Sequence, residues 1–172
     1  MALINNIAKW LLSSKESPKS DKRFLNWSQL SNVLLIAYDN QLSNCVDFIN
    51  HCKKDNINIQ VAIIYEGKPE QAPKPNFEYQ LLDTKQFNFF GLPKDDVLTQ
   101  LNSKAFDALI NLGNAEQIKA LALSKLISAK CKIANFQNPI FEITINSDEL
   151  MTSSDYLKQV IVYLNMIKPI NN

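Results

Sequence analysis

Glycine is scarce in this chain: only Gly67, Gly91 and Gly113 occur in 172 residues, about 2% where about 7% is usual. Neither G-x-G-x-x-G nor G-x-x-x-x-G-K-[ST] can be spelled with those positions, which excludes every glycine-rich phosphate cradle. A single histidine, His51, excludes multi-histidine metal sites, and no metal or cofactor is expected. Cys45, Cys52 and Cys131 are an odd set with no C-x-x-C pair, so neither a disulfide framework nor a zinc knuckle is expected. Free buried thiols in a reducing, cytoplasmic setting are the simplest reading. No apolar run approaches the roughly 18 residues that a membrane span requires. Charge of one sign is also missing. Eighteen basic residues face 17 acidic ones, a net charge of +1, which argues against nucleic acid as a bulk electrostatic partner.

What remains is an ordinary globular composition, 46% apolar and 20% charged. At about 100–200 residues per domain the length suits one core, large enough to bury roughly 70% of the unfolded chain's surface. The N-terminal stretch lacks a basic segment before its apolar residues and interrupts them with Asn5, Asn6 and Lys9, so a signal peptide is not expected. Its spacing predicts an amphipathic helix with Leu3, Ile4, Ile7, Ala8 and Leu11 on one face. A polar stretch from Ser13 to Arg23, broken by Pro18, follows. Residues 1–24 hold five basic and two acidic residues, +3, against 13 and 15, or −2, in the remainder. Residues 1–24 are therefore read as helix plus linker, and residues 25–172 as a single α/β domain. The helix either packs back on its own domain or docks on a partner or membrane surface through residues 2–12.

After Trp27 short aliphatic runs alternate with amphipathic stretches. Strands are predicted at 32–38, 57–65, 79–82, 106–112 and 131–136, with an edge strand at 140–145. Helices are predicted at 42–54 and 94–101, after Asn114, and from Ser153 or Ser154. Strands separated by helices imply right-handed βαβ crossovers. The expected fold is a three-layer, mostly parallel, doubly wound sheet of about five to six strands.

Ligands in such sheets bind beyond the carboxyl ends of the strands. Those ends carry Asp39, Asn40, Glu66, Asn111, Asn114 and Asn135, which are the candidate ligand-binding residues. Asp and Asn also close strands and cap helices, the bland use of the same residues. No nucleophile has a base at a defined spacing, so no catalytic residue is assigned. Asp47 and His51 can pair on a helix surface, whereas His51 and Cys52 point about 100° apart. Three phenylalanines in four residues, Phe87, Phe89 and Phe90, form an aromatic turn that either fills the core or anchors a partner. With Ile4, Ile7, Trp10 and Leu11 they make up a candidate docking surface for a protein partner or a second copy.

Several segments resemble a small uncharacterised bacterial family known only as a domain of unknown function. They are Val33–Asp39, the turn Phe87–Pro93, Phe106–Leu112, Ala122–Lys125 and Ala129–Ala134. The resemblance spans most of the chain and implies one α/β domain without assigned catalytic residues. Phe106–Ala134 also resembles the N-terminal half of heptosyltransferase-type glycosyltransferases, which implies a shared scaffold. Their glycine-bearing turn after the first strand is Asp39-Asn40-Gln41 here, and 172 residues do not accommodate their second, nucleotide-sugar-binding domain. The expectation is a non-catalytic subunit or adaptor. The alternative is a nucleotide- or sugar-binding protein, or an enzyme, using the strand-end cleft.

Overall fold

The computed structural model describes residues 2–146 and 151–169, so the remainder of the expected 25–172 domain lies outside the described residues. Helix α1 spans Ala2–Ser14. Strand β1 (Asn32–Tyr38) is followed by α2 (Leu42–Lys54), β2 (Asn58–Ile64) and β3 (Gln80–Leu82). Then come α3 (Asp95–Asn102), β4 (Phe106–Asn111), α4 (Ile118–Leu126) and β5 (Ala129–Ala134). The two-residue β6 (Ile143–Thr144) and α5 (Ser153–Met166) complete the order. The six strands form one sheet in the order β3-β2-β1-β4-β5-β6, and every pair is parallel. This is the expected three-layer α/β architecture.

β1 is a continuous apolar run from Val33 to Tyr38 because both of its faces are covered. Val33, Leu35 and Ala37 pack with α2 and α5 on one face. Leu34 and Ile36 pack with α3 and α4 on the other. Cys45, Cys52 and Cys131 lie in the first of these layers as free thiols, and burial pushes each up to about 12, which makes them inert.

α1 lies against α4, where Leu12 joins Leu121, Ala122 and Leu126 in a third apolar cluster. Its buried positions are Ala8 and Leu12, with Leu11 partly covered, while Leu3, Ile4, Ile7 and Trp10 are exposed. The helix is thus rotated relative to the stripe read from sequence, with Leu12 against α4 and Lys9 reaching Glu116 at 2.9 Å. The linker then crosses to the opposite face. Arg23 N–H donates to Lys130 O at 3.1 Å and Lys22 pairs with Glu142 at 2.8 Å. At its end Asn26 Nδ2 donates to the carbonyls of Asn165 and Ile167 at the α5 C-terminus, supplying donors to carbonyls the helix leaves open.

Candidate functional site

Strand β1 lies between β2 and β4, so the loop after β1 turns toward α2 while the loop after β4 turns toward α4. The chain reverses direction there, and a crevice opens beyond the strand ends. It measures about 280 Å³. The turn after β1 contributes Asn40 and Gln41, and the β4–α4 connection contributes Leu112, Asn114 and Gln117. Asn135 comes from the end of β5, and Met151, Thr152, Ser153 and Tyr156 from the start of α5. Among the described residues no charged side chain lines it.

Local sequence explains how each group arrives there. Asp39–Gln41 forms a single 3₁₀ turn that leads directly into α2. Gln41 Oε1 accepts the Tyr38 N–H at 2.9 Å, and its Nε2 donates to Leu112 O at 2.8 Å and Ser153 Oγ at 3.3 Å. One amide side chain therefore ties β1, β4 and α5 together where a glycine turn would otherwise leave room. Asn114 Oδ1 accepts the Glu116 N–H at 2.9 Å and its own N–H donates to Gln117 Oε1 at 2.8 Å. That polar turn delays α4 to Ile118, beyond the start read from sequence. Gly113 is required in this turn, because a Cβ there would lie 2.8 Å from Ala120 Cβ and 2.9 Å from Asn111 Oδ1. Thr152 Oγ1 caps α5 by accepting the Asp155 N–H at 3.1 Å.

Two polar atoms on these lining residues are buried without a hydrogen-bond partner, the Tyr156 hydroxyl and Asn135 Oδ1. Tyr156 is only 2% exposed, and burial raises its pKa above the ordinary tyrosine value. Unpaired buried polar groups are rare and costly, about 1–3 kcal/mol each.

Of the residues selected from sequence, Asn40, Asn114 and Asn135 line this crevice. Asp39 is half-buried in the adjoining turn without being part of the lining. Asn111 is fully buried, and because alternate residues of β4 face opposite sides, it shares the α3/α4 face with Leu109. Its Oδ1 accepts the Gly113 N–H at 2.6 Å, while its Nδ2 has no partner among the described residues. Glu66 is exposed and pairs with Lys119 at 2.7 Å, whose ammonium lies 5.4 Å from the centre of the Phe87 ring. Gln41, Gln117, Thr152, Ser153 and Tyr156 were not selected. The α5 residues join the site through tertiary packing alone, and the helix-start pattern of Thr152 and Ser153 was the only local signal.

The docking residues divide in a similar way. Ile4, Ile7, Trp10 and Phe89 are exposed, Trp10 at 67% and Phe89 at 78%. Leu11 and Phe90 pack against the third cluster, and Phe87 is buried in the α3/α4 layer. The aromatic turn is set by Asn88, whose Oδ1 accepts the N–H groups of Phe90 and Leu92 at 2.9 and 3.0 Å. Gly91 adopts φ 75° in it, a conformation that favours glycine. Among the described residues no group of three metal-ligating side chains occurs, and no helix is long and apolar enough to cross a membrane.

No curated protein and no solved structure matches the chain. A family model described as a family of unknown function, DUF6913, matches residues 2–167, covering α1, the linker and the sheet alike. The chain belongs to that family of unknown function.

Proposed function

We propose that this protein binds a small polar molecule in the crevice between the ends of β1 and β4. One observation carries the reading: convergent side-chain amides and hydroxyls at the switch point, two of them with buried atoms left unpaired. Recognition sites are concave, with a few placed polar groups, and because both atoms are shut from solvent here, a ligand supplies the partners they lack by displacing the side chains that cover them. The lining holds no nucleophile–base pair among the described residues, so binding is the activity this geometry supports. A thermal-shift screen against nucleotides, sugar nucleotides and free sugars tests it, since a ligand at 100 times its Kd adds about 2.7 kcal/mol. Unchanged melting across the panel rejects the reading.

A second reading rests on the exposed Leu3, Ile7, Trp10 and Phe89. In it the outer face of α1 and the aromatic turn dock the protein as a subunit of a larger assembly, since Leu11 and Phe90 both pack against the same apolar cluster. The native complex then elutes above the monomer mass in size-exclusion chromatography and collapses to it in Trp10→Ala/Phe89→Ala. Elution of the unaltered protein at monomer mass alone refutes this. Co-sedimentation with liposomes that is lost with Trp10 would assign the same face to a membrane surface instead. Both readings place the protein in a bacterial cytoplasm, supported by three unpaired, buried thiols and by the bacterial family resemblance. They take the Phe106–Ala134 βαβ unit as a scaffold shared with heptosyltransferase-type enzymes, supported by that sequence resemblance.

A further inference from the structure

The ligand class follows from what the crevice offers and what it withholds. Phosphate groups are bound by arginine or lysine, or by free backbone N–H groups at a helix N-terminus. No cationic side chain lines this crevice among the described residues. The entrance to α2 is blocked by Gln41, whose amide spans from Tyr38 to Leu112 and Ser153. The first turn of α5 already holds a carboxylate, Asp155, whose N–H is taken by Thr152. An anion would meet a blocked end at α2, a carboxylate at α5 and, at the start of α4, a first turn that gives its Ala120 N–H to Tyr38 and its Lys119 ammonium to Glu66.

The remaining chemistry is neutral and two-sided. Amides and hydroxyls both donate and accept, as does the unpaired Tyr156 hydroxyl, whereas unpaired Asn135 Oδ1 accepts only. A ligand hydroxyl satisfies either, because it too is donor and acceptor. The exposed lining is almost wholly polar, and Leu112, Met151 and the Tyr156 ring add only a narrow apolar strip. The volume of about 280 Å³ falls just below the roughly 300–1,000 Å³ of sites for drug-sized ligands. It suits a single ring.

Resting on the binding reading above, we propose that the ligand is an uncharged polyhydroxylated ring of monosaccharide size, with the Tyr156 hydroxyl and Asn135 as its buried anchors. The full chain is tested by saturation-transfer NMR and thermal shift with D-glucose, D-galactose and myo-inositol. Parallel arms use glucose 6-phosphate, ADP and adenosine. Each arm is repeated on Tyr156→Phe and Asn135→Ala. At least one neutral polyol binds, the phosphorylated probes and adenosine do not, and each variant weakens binding about tenfold, the size of one lost hydrogen bond at the strong end. Unliganded Tyr156→Phe melts no lower than the unaltered protein, because it loses only an unpaired hydroxyl. Asn135 is not fully buried, so its variant keeps the test open should the tyrosine change disturb folding. Binding of ADP, glucose 6-phosphate or adenosine alone, lost in the variants, overturns the ligand class and leaves the crevice reading standing. Polyol binding that both variants leave unchanged, or no binding by any probe, overturns both.

Discussion

Lys132 is the most heavily constrained charge in the protein. Its residue is 2% exposed on β5, and its Nζ donates to Lys125 O at 3.2 Å. Burial pushes its pKa down to about 8, Lys22 and Lys125 reinforce the shift, and Glu142 opposes it. An unfolded lysine titrates near 10.4, so between the two values the unfolded chain binds more protons and stability rises with pH. The destabilisation is complete below pH 8 and fades toward pH 10. Lys132→Met is therefore expected to stabilise the protein by about 1–3 kcal/mol at pH 7, with the gain shrinking above pH 8. Urea unfolding of both proteins at pH 7, 8 and 9 measures this, and a gap independent of pH refutes it. Asp107 shows the opposite balance. Burial raises its pKa, but Lys130 at 2.7 Å and the Ser31 and Asn32 N–H groups hold it below the usual carboxylate range.

The composition of α4 explains why α1 belongs to the fold. Ile118–Leu126 buries Ala120, Leu121, Ala122, Leu123, Ser124 and Leu126, so it is covered on more than the sheet side. A helix apolar all round must be buried all round. Leu123 meets the sheet layer, and Leu121, Ala122 and Leu126 meet Leu12 of α1. Lys125 Nζ donates to Leu12 O and Ser13 O at 2.8 and 3.1 Å, placing a cation on the open carbonyls at the end of α1. Leu12→Ala is expected to cost about 2–3 kcal/mol, the range for a buried leucine that leaves a partly collapsible cavity. Chemical denaturation checks this, and a loss below 0.5 kcal/mol (about the scatter for surface changes) would mean that α1 contributes little.

Across the whole molecule residues 2–30 behave as a strap. α1 covers α4 on one face, the linker passes β5, and Asn26 with Trp27 closes against α5 and α2 on the other. Trp27 Nε1 donates to Asp55 Oδ2 at 2.7 Å, and its ring lies edge-on to Phe48. The linker and Asn26–Trp27 lie at the amino-terminal side of the sheet, whereas α1 runs along α4 as far as Glu116, in the turn beyond β4 that also lines the crevice. The family match across residues 2–167 also runs through strap and sheet without a break.

The strands were legible because a parallel sheet buried on both faces favours apolar runs such as Val33–Tyr38, a pattern that Phe106–Leu112 leaves only at Asp107 and Asn111. The mostly parallel expectation and the helix spacing followed from the same rule, and the sheet proves parallel throughout. Part of the crevice was legible too, since three of its ten lining residues, Asn40, Asn114 and Asn135, stand within three residues of a strand end. Chain order carries no record of which face a residue joins once the sheet is assembled. Asn111 lies one residue before Leu112, yet pleating sends it to the α3/α4 side. Tyr156 and Ser153 reach the site only because α5 crosses back beneath it. The face that α1 buries was equally undetermined, since both Leu3-Ile7 and Ala8-Leu12 make acceptable helical stripes. Local chemistry set the elements and the absence of a phosphate cradle. Packing decided which side chains share the crevice, because strand order, sheet face and helix rotation are fixed by contacts between segments far apart in the chain.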